Sequence, residues 1–75
     1  MTELRIPAAG DAVAEVQLVE WAAADGAQVK EGDIIYSIES EKSVIDVESP
    51  ASGTLHIIEA SGGVFSIGHL VGSID

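Results

Sequence analysis

Cysteine is absent from this 75-residue sequence. That removes disulfides, thiol nucleophiles and Cys-based zinc sites together, and leaves any sulfur chemistry to a cofactor. Basic residues are scarce as well: Arg5, Lys30 and Lys42 stand against thirteen carboxylates, for a net charge of −10. Such a surface repels phosphate backbones and anionic lipid head groups, so neither nucleic acid nor membrane is an expected partner. The same charge either keeps a small monomeric domain soluble or steers it toward basic partners, and composition does not choose between the two. No apolar run reaches membrane-spanning length, and Met1-Thr2-Glu3-Leu4-Arg5 lacks the basic start and apolar stretch of a signal peptide. A soluble, cytoplasmic protein is the expectation. Residues 1–75 suffice for one domain, with room for a scaffold but not for a large enclosed active site.

What is present is a succession of short Val- and Ile-rich clusters, among them Ile34-Ile35-Tyr36-Ser37-Ile38, Val44-Ile45-Asp46-Val47 and Leu55-His56-Ile57-Ile58. β-branched runs of this length read as strands. Between them lie Gly10-Asp11, Asp25-Gly26, Glu31-Gly32-Asp33, Ser49-Pro50-Ala51-Ser52-Gly53 and Ser61-Gly62-Gly63, all turn chemistry. The rhythm predicts an all-β sandwich or barrel. Trp21-Ala22-Ala23-Ala24 has helix-forming residues but no apolar face before Asp25-Gly26, and is placed at a strand end entering a turn.

Sliding the chain against itself by 36 residues aligns Leu18–Glu39 with Thr54–Asp75, with five of 22 pairs identical. Gly26 falls on Gly62 and Gly32 on Gly68, so each half places two glycines six residues apart ahead of an apolar strand. Both halves should make the same pair of tight turns with positive φ, giving a sandwich with pseudo-two-fold symmetry. The strand beginning at Ile34 then corresponds to the one beginning at Leu70. The first turns back through Glu41-Lys42-Ser43, which puts Lys42 at an exposed hairpin tip.

Lys30, in Val29-Lys30-Glu31-Gly32-Asp33, reads as an ordinary solvated loop charge. Lys42 taken alone could be no more than a charged turn residue. His56 and His69 have no HxxH or HxxxH spacing and read as surface or edge residues rather than metal ligands, so no metal site is expected. Glu39 with Glu41, and Asp46 with Glu48, are spaced to share a strand face, but without a pocket they read as solvated carboxylates and not as an acid–base pair. Trp21 is read as a packed aromatic in preference to a recognition anchor.

The stretch from Gly32 to Gly53 resembles the lipoyl domains of dihydrolipoyl acyltransferases in 2-oxo acid dehydrogenase complexes, and the likeness extends over nearly the whole chain. It is carried by Trp21 ahead of Asp25-Gly26, by Val29 and Gly32, by the Glu39-x-Glu41-Lys42 turn, and by Pro50 and Gly53. The family often has Asp-Lys-Ala at the tip where this sequence has Glu41-Lys42-Ser43. The resemblance implies a flattened β-barrel or sandwich of two four-stranded antiparallel sheets, the barrel-sandwich hybrid. It also implies that Lys42 carries covalent lipoic acid, that Glu39, Glu41, Ser43 and Gly53 form the set by which the modifying ligase finds the site, and that the loop Ala9, Gly10, Asp11, Ala12, Val13, Ala14 and Glu15 meets the partner decarboxylase.

The implied function is a non-catalytic carrier, either an excised N-terminal domain or free-standing. Its implied partners are a lipoate ligase or lipoyl transferase, a thiamine-diphosphate 2-oxo acid decarboxylase, an acyltransferase catalytic domain and dihydrolipoyl dehydrogenase. Glu39 and Glu41 would favour the ammonium form of Lys42, so activation of the amine for amide formation must come from the ligase. The redox-active sulfurs then belong to the cofactor. A biotin carrier of the same fold is the nearest alternative, but its lysine is usually flanked by methionines, and Met1 is the only Met here. An unmodified interaction module of the same fold is a further alternative, and the Glu39, Lys42 and Gly53 set argues against it.

Overall fold

The computed structural model describes residues 1–8, 13–41 and 43–75. Eight strands make up its regular structure: β1 Thr2–Arg5, β2 Glu15–Trp21, β3 Gln28–Val29, β4 Ile34–Glu39, β5 Val44–Glu48, β6 Gly53–Ile57, β7 Val64–Ser66 and β8 Leu70–Ile74. They form two four-stranded antiparallel sheets, ordered β1-β8-β6-β3 and β5-β4-β2-β7. The expected sandwich is therefore present. Trp21 closes β2 and the alanines after it enter a turn.

Alternation decides which residues meet between the sheets. In β2, Val16 and Leu18 point inward while Glu15 and Gln17 face water. One interior strand of each sheet is buried over a longer run: Ile35, Tyr36, Ser37 and Ile38 in β4, and Val71, Gly72, Ser73 and Ile74 in β8. The apolar residues of these strands form one continuous core with Leu4, Ile6, Val29 and Leu55. Leu18 is fully enclosed within it, so Leu18→Ala is expected to cost about 3 kcal/mol, seen as a lowered urea midpoint. Trp21 fluorescence reports that transition, because its ring packs 4.9 Å from Tyr36 and its Nε1–H donates to the Glu59 carbonyl at 2.9 Å.

Tyr36 supplies a pH handle. Burial pushes its phenol from the ordinary 10.0 up to about 12. The folded state holds that proton more tightly than the unfolded chain, so the contribution is intact below about pH 10 and stability falls as pH rises from there toward 12. Tyr36 is the only tyrosine, so tyrosinate absorbance is expected to follow the loss of folded Trp21 fluorescence instead of preceding it.

The internal repeat is visible bond by bond. Ala22 N–H donates to the Ile35 carbonyl at 2.8 Å and Ile58 N–H to that of Val71 at 2.9 Å; Asp33 N–H reaches Lys30 and His69 N–H reaches Ser66, each 36 residues apart. Gly26 and Gly62 have φ of 86° and 99°, Gly32 and Gly68 of 93° and 86°, as the paired tight turns require. The repeat slips at one place. Leu18 N–H bonds to Gly63 as Leu55 N–H bonds to Ala27: the acceptors keep the 36-residue offset but the donors are 37 apart, because β2 has a bulge between Leu18 and Glu20. The inserted residue, Val19, is exposed.

Candidate functional site

β4 and β5 pair from Ile34↔Glu48 to Glu39↔Val44, with one irregularity between Ile34 and Tyr36. Beyond the last pair, Ser40 N–H donates to the Ser43 carbonyl at 2.8 Å, and the Ser40 hydroxyl lies 3.3 Å from the same carbonyl. Two small hydroxyl residues thus close a short connection whose intervening residues, by sequence, are Glu41 and Lys42. The expected position of Lys42 at the tip lies outside the described residues.

Its neighbours are described. Glu39 ends β4 exposed, in register with Gln17 on one side and Val44 on the other. Glu41 and Ser43 are exposed. Glu41 lies past the end of β4, so the expected sharing of a strand face by Glu39 and Glu41 does not hold; the reversal begins one residue too early. Asp46 and Glu48 do share the outward face of β5, and the Ser37 hydroxyl donates to Asp46 Oδ1 at 2.9 Å. Neither described basic residue belongs to this hairpin. Arg5 ends β1, where it pairs with Glu3 at 3.2 Å, and Lys30 follows β3.

Gly53 opens β6, at the far end of β5 from the connection. Its φ of 155° is unfavourable for side-chain-bearing residues, and a Cβ there would lie 2.9 Å from the Asp75 carbonyl carbon and 3.0 Å from Ile74 Cγ2. The structure thus separates Gly53 from Glu39, Glu41 and Ser43. Of the expected partner loop, Ala9, Gly10, Asp11 and Ala12 lie outside the described residues. Val13 packs against the core, the Ala14 carbonyl accepts from Ile67 N–H at 3.0 Å, and Glu15 opens β2 opposite Ser66. Glu15 precedes the Gln17↔Glu39 pair by two residues, so this end of the loop runs toward the same end of the sheet as the Ser40–Ser43 closure.

Both histidines face carboxylates: His56 Nε2 lies 3.1 Å from Asp75 Oδ2, and His69 Nε2 lies 2.7 Å from Glu59 Oε2. His69 belongs to the turn before β8, not to the strand itself, and its ring stacks on Phe65 at 5.1 Å. Among the described residues no three metal-ligating side chains cluster. Sequence reasoning did not single out Val44, an apolar residue 59% exposed immediately after Ser43. The signal was available, since alternation with Ile45 and Val47 turns it outward with Asp46.

What this geometry offers is display: a hairpin whose described residues Glu39, Glu41 and Ser43 are exposed, on a two-sheet body. The family model Biotin_lipoyl, described as "Biotin-requiring enzyme", matches residues 2–74. The dihydrolipoyllysine-residue acetyltransferase component of the Staphylococcus aureus pyruvate dehydrogenase complex is 31% identical over 74 residues, 97% of this chain and 17% of that protein. The succinyltransferase component of the Rickettsia bellii 2-oxoglutarate dehydrogenase complex is 34% identical over 71 residues, 93% of this chain and 18% of that protein. This chain therefore spans less than a fifth of the length of these curated relatives. Among solved structures, the lipoyl domain of the 2-oxoglutarate dehydrogenase complex from Azotobacter vinelandii superposes with a TM-score of 0.82 at 25% identity, covering all of this chain and 96% of that one. Matched over nearly its full length in sequence and in fold, the chain belongs to the biotin/lipoyl attachment family and has the fold of a lipoyl domain of 2-oxo acid dehydrogenase acyltransferases.

Proposed function

We propose that Lys42 is the attachment point of a lipoyl group and that the domain carries acyl groups and reducing equivalents between the enzymes of a 2-oxo acid dehydrogenase complex. The observation behind this reading is the β4–β5 ladder, which pairs in regular register from Tyr36 to Glu39 and closes at Ser40–Ser43, with Glu41 and Lys42 as the only residues between. Attachment requires an amine that a second enzyme can reach, and the described residues around it, Glu39, Glu41 and Ser43, are all exposed. When bound, the group supplies the redox-active sulfur that a chain without cysteine lacks. The chain's own residues contribute a paired hairpin and a negative surface.

The partners on this reading are a lipoate-attaching enzyme, a thiamine-diphosphate decarboxylase, an acyltransferase catalytic domain and dihydrolipoyl dehydrogenase. Tethering to a longer acyltransferase would raise the local concentration of the arm at each active site, to about the millimolar range for a short flexible linker. Biotin is the second reading, because the matching family includes biotin-dependent enzymes by its description. Incubating the domain with lipoate ligase, lipoate and ATP, and separately with biotin ligase, biotin and ATP, distinguishes them by intact mass and peptide fragments. The expected outcome is a single lipoyl adduct on Lys42. A biotin adduct there moves the domain to the carboxylases, and no adduct with either enzyme favours an unmodified interaction module.

A further inference from the structure

An unmodified lysine side chain is short, so an enzyme that acylates it must touch the strands on which it is mounted. Those strands differ in what they leave open. β4 is interior, paired with β2 on one side and β5 on the other, whereas β5 is an edge. At five residues it is also the longest edge strand in the described structure, against four in β1, three in β7 and two in β3.

The register fixes which backbone groups this edge presents. Ser40 and Ser43 are a hydrogen-bonded pair, and in an antiparallel ladder such pairs alternate with non-bonded ones. Glu39↔Val44 is then non-bonded, Ile38↔Ile45 bonded and Ser37↔Asp46 non-bonded. The N–H and C=O groups of Val44 and Asp46 therefore point away from β4. Their side chains, with that of Glu48, alternate along the outward face as apolar, acidic, acidic. The same carboxylates oppose pairing with a second copy, since two β5 edges laid together would bring Asp46 and Glu48 of each copy against one another.

We propose that the edge of β5 is the docking strand for the enzyme that modifies Lys42, which adds an extended segment to it by backbone hydrogen bonding, with basic side chains toward Asp46 and Glu48 and an apolar one toward Val44. The proposal rests on the reading of Lys42 as the attachment point. Strand addition takes affinity from main-chain bonds and specificity from alternate side chains, and the hairpin's Glu39, Glu41, Asp46 and Glu48 supply charge complementarity to a basic segment alone.

Total chemical synthesis gives the test: the unmodified domain is compared with one N-methylated at Asp46, which loses the outward N–H but keeps the carboxylate and every ladder bond. With lipoate ligase, lipoate and ATP, kcat/KM for labelling is expected to fall about tenfold through a raised KM. In parallel, isotope-labelled unmodified domain is mixed with ligase holding a non-reactive lipoyl-adenylate analogue. The amides of Val44 and Asp46 are expected to gain protection from hydrogen exchange, a readout that holds even if the N-methylated domain fails to fold. If the unmodified domain labels on Lys42 but neither effect appears, the docking strand is overturned and the attachment site stands. If the unmodified domain does not label, both fall.

Discussion

Replacing Lys42 with arginine is expected to abolish labelling completely, while Lys30→Arg leaves it at the level of the starting protein. Lys30 and Lys42 are the only lysines, so two substitutions divide the possibilities by intact mass alone. Arginine keeps the positive charge among Glu39 and Glu41 but has no amine to acylate, because a guanidinium stays protonated and is a poor nucleophile. The core has no part in this change, so the urea midpoint should stay where it was. Loss of the adduct from Lys30→Arg, with Lys42→Arg still labelled, would overturn the attachment reading at its root.

Gly53→Ala is expected to destabilise the domain by about 3 kcal/mol, from backbone strain and overpacking together, out of a total of about 5–15 kcal/mol for a small domain. The added methyl meets main chain, not a side chain that can swing aside: its position overlaps the Asp75 carbonyl oxygen. That oxygen accepts from Thr54 N–H at 3.0 Å, and Asp75 N–H donates back to the Thr54 carbonyl at 3.0 Å. The family resemblance links this glycine to recognition by the ligase, yet Gly53 stands at the far end of β5 from the Ser40–Ser43 closure. The two roles separate in one experiment, a urea titration beside labelling rates corrected for the folded fraction. A lowered midpoint with an unchanged corrected rate assigns Gly53 to packing, whereas an unchanged midpoint with lost labelling assigns it to ligase contact.

Most of the architecture was legible in the sequence because its signals are local. Clusters such as Val44–Val47 carry their own alternation, and Gly26, Gly32, Gly62 and Gly68 mark positive-φ turns directly. The 36-residue offset gave the symmetry. The slip at Val19 was not legible, since a bulge answers to the register of β2 against β4, which no window of sequence contains. β3 and β7 were not recognisable as strands, because two or three residues are too few for alternation to show. The site followed the same division. Glu39, Glu41 and Ser43 could be placed from neighbouring residues, but the reason for glycine at position 53 lies at Asp75, 22 positions away. Val44 escaped notice because its outward direction matters only once β5 is known to be an edge.

The sheet order also governs when the chain can fold. Sheet β5-β4-β2-β7 has all its strands once Ser66 has been made, whereas in β1-β8-β6-β3 the strand at Leu70–Ile74 is the one that joins β1 to β6. Until those residues leave the ribosome, β1 has no partner and the second sheet cannot close over Leu18, Ile35 and Ile38. Strand β1 waits for β8, a pairing that spans nearly the whole of this domain, and topologies of this kind fold slowly for their length. Folding on this account is a single late event, and it leaves the hairpin that bears Lys42 without its supporting body until synthesis of this segment is complete.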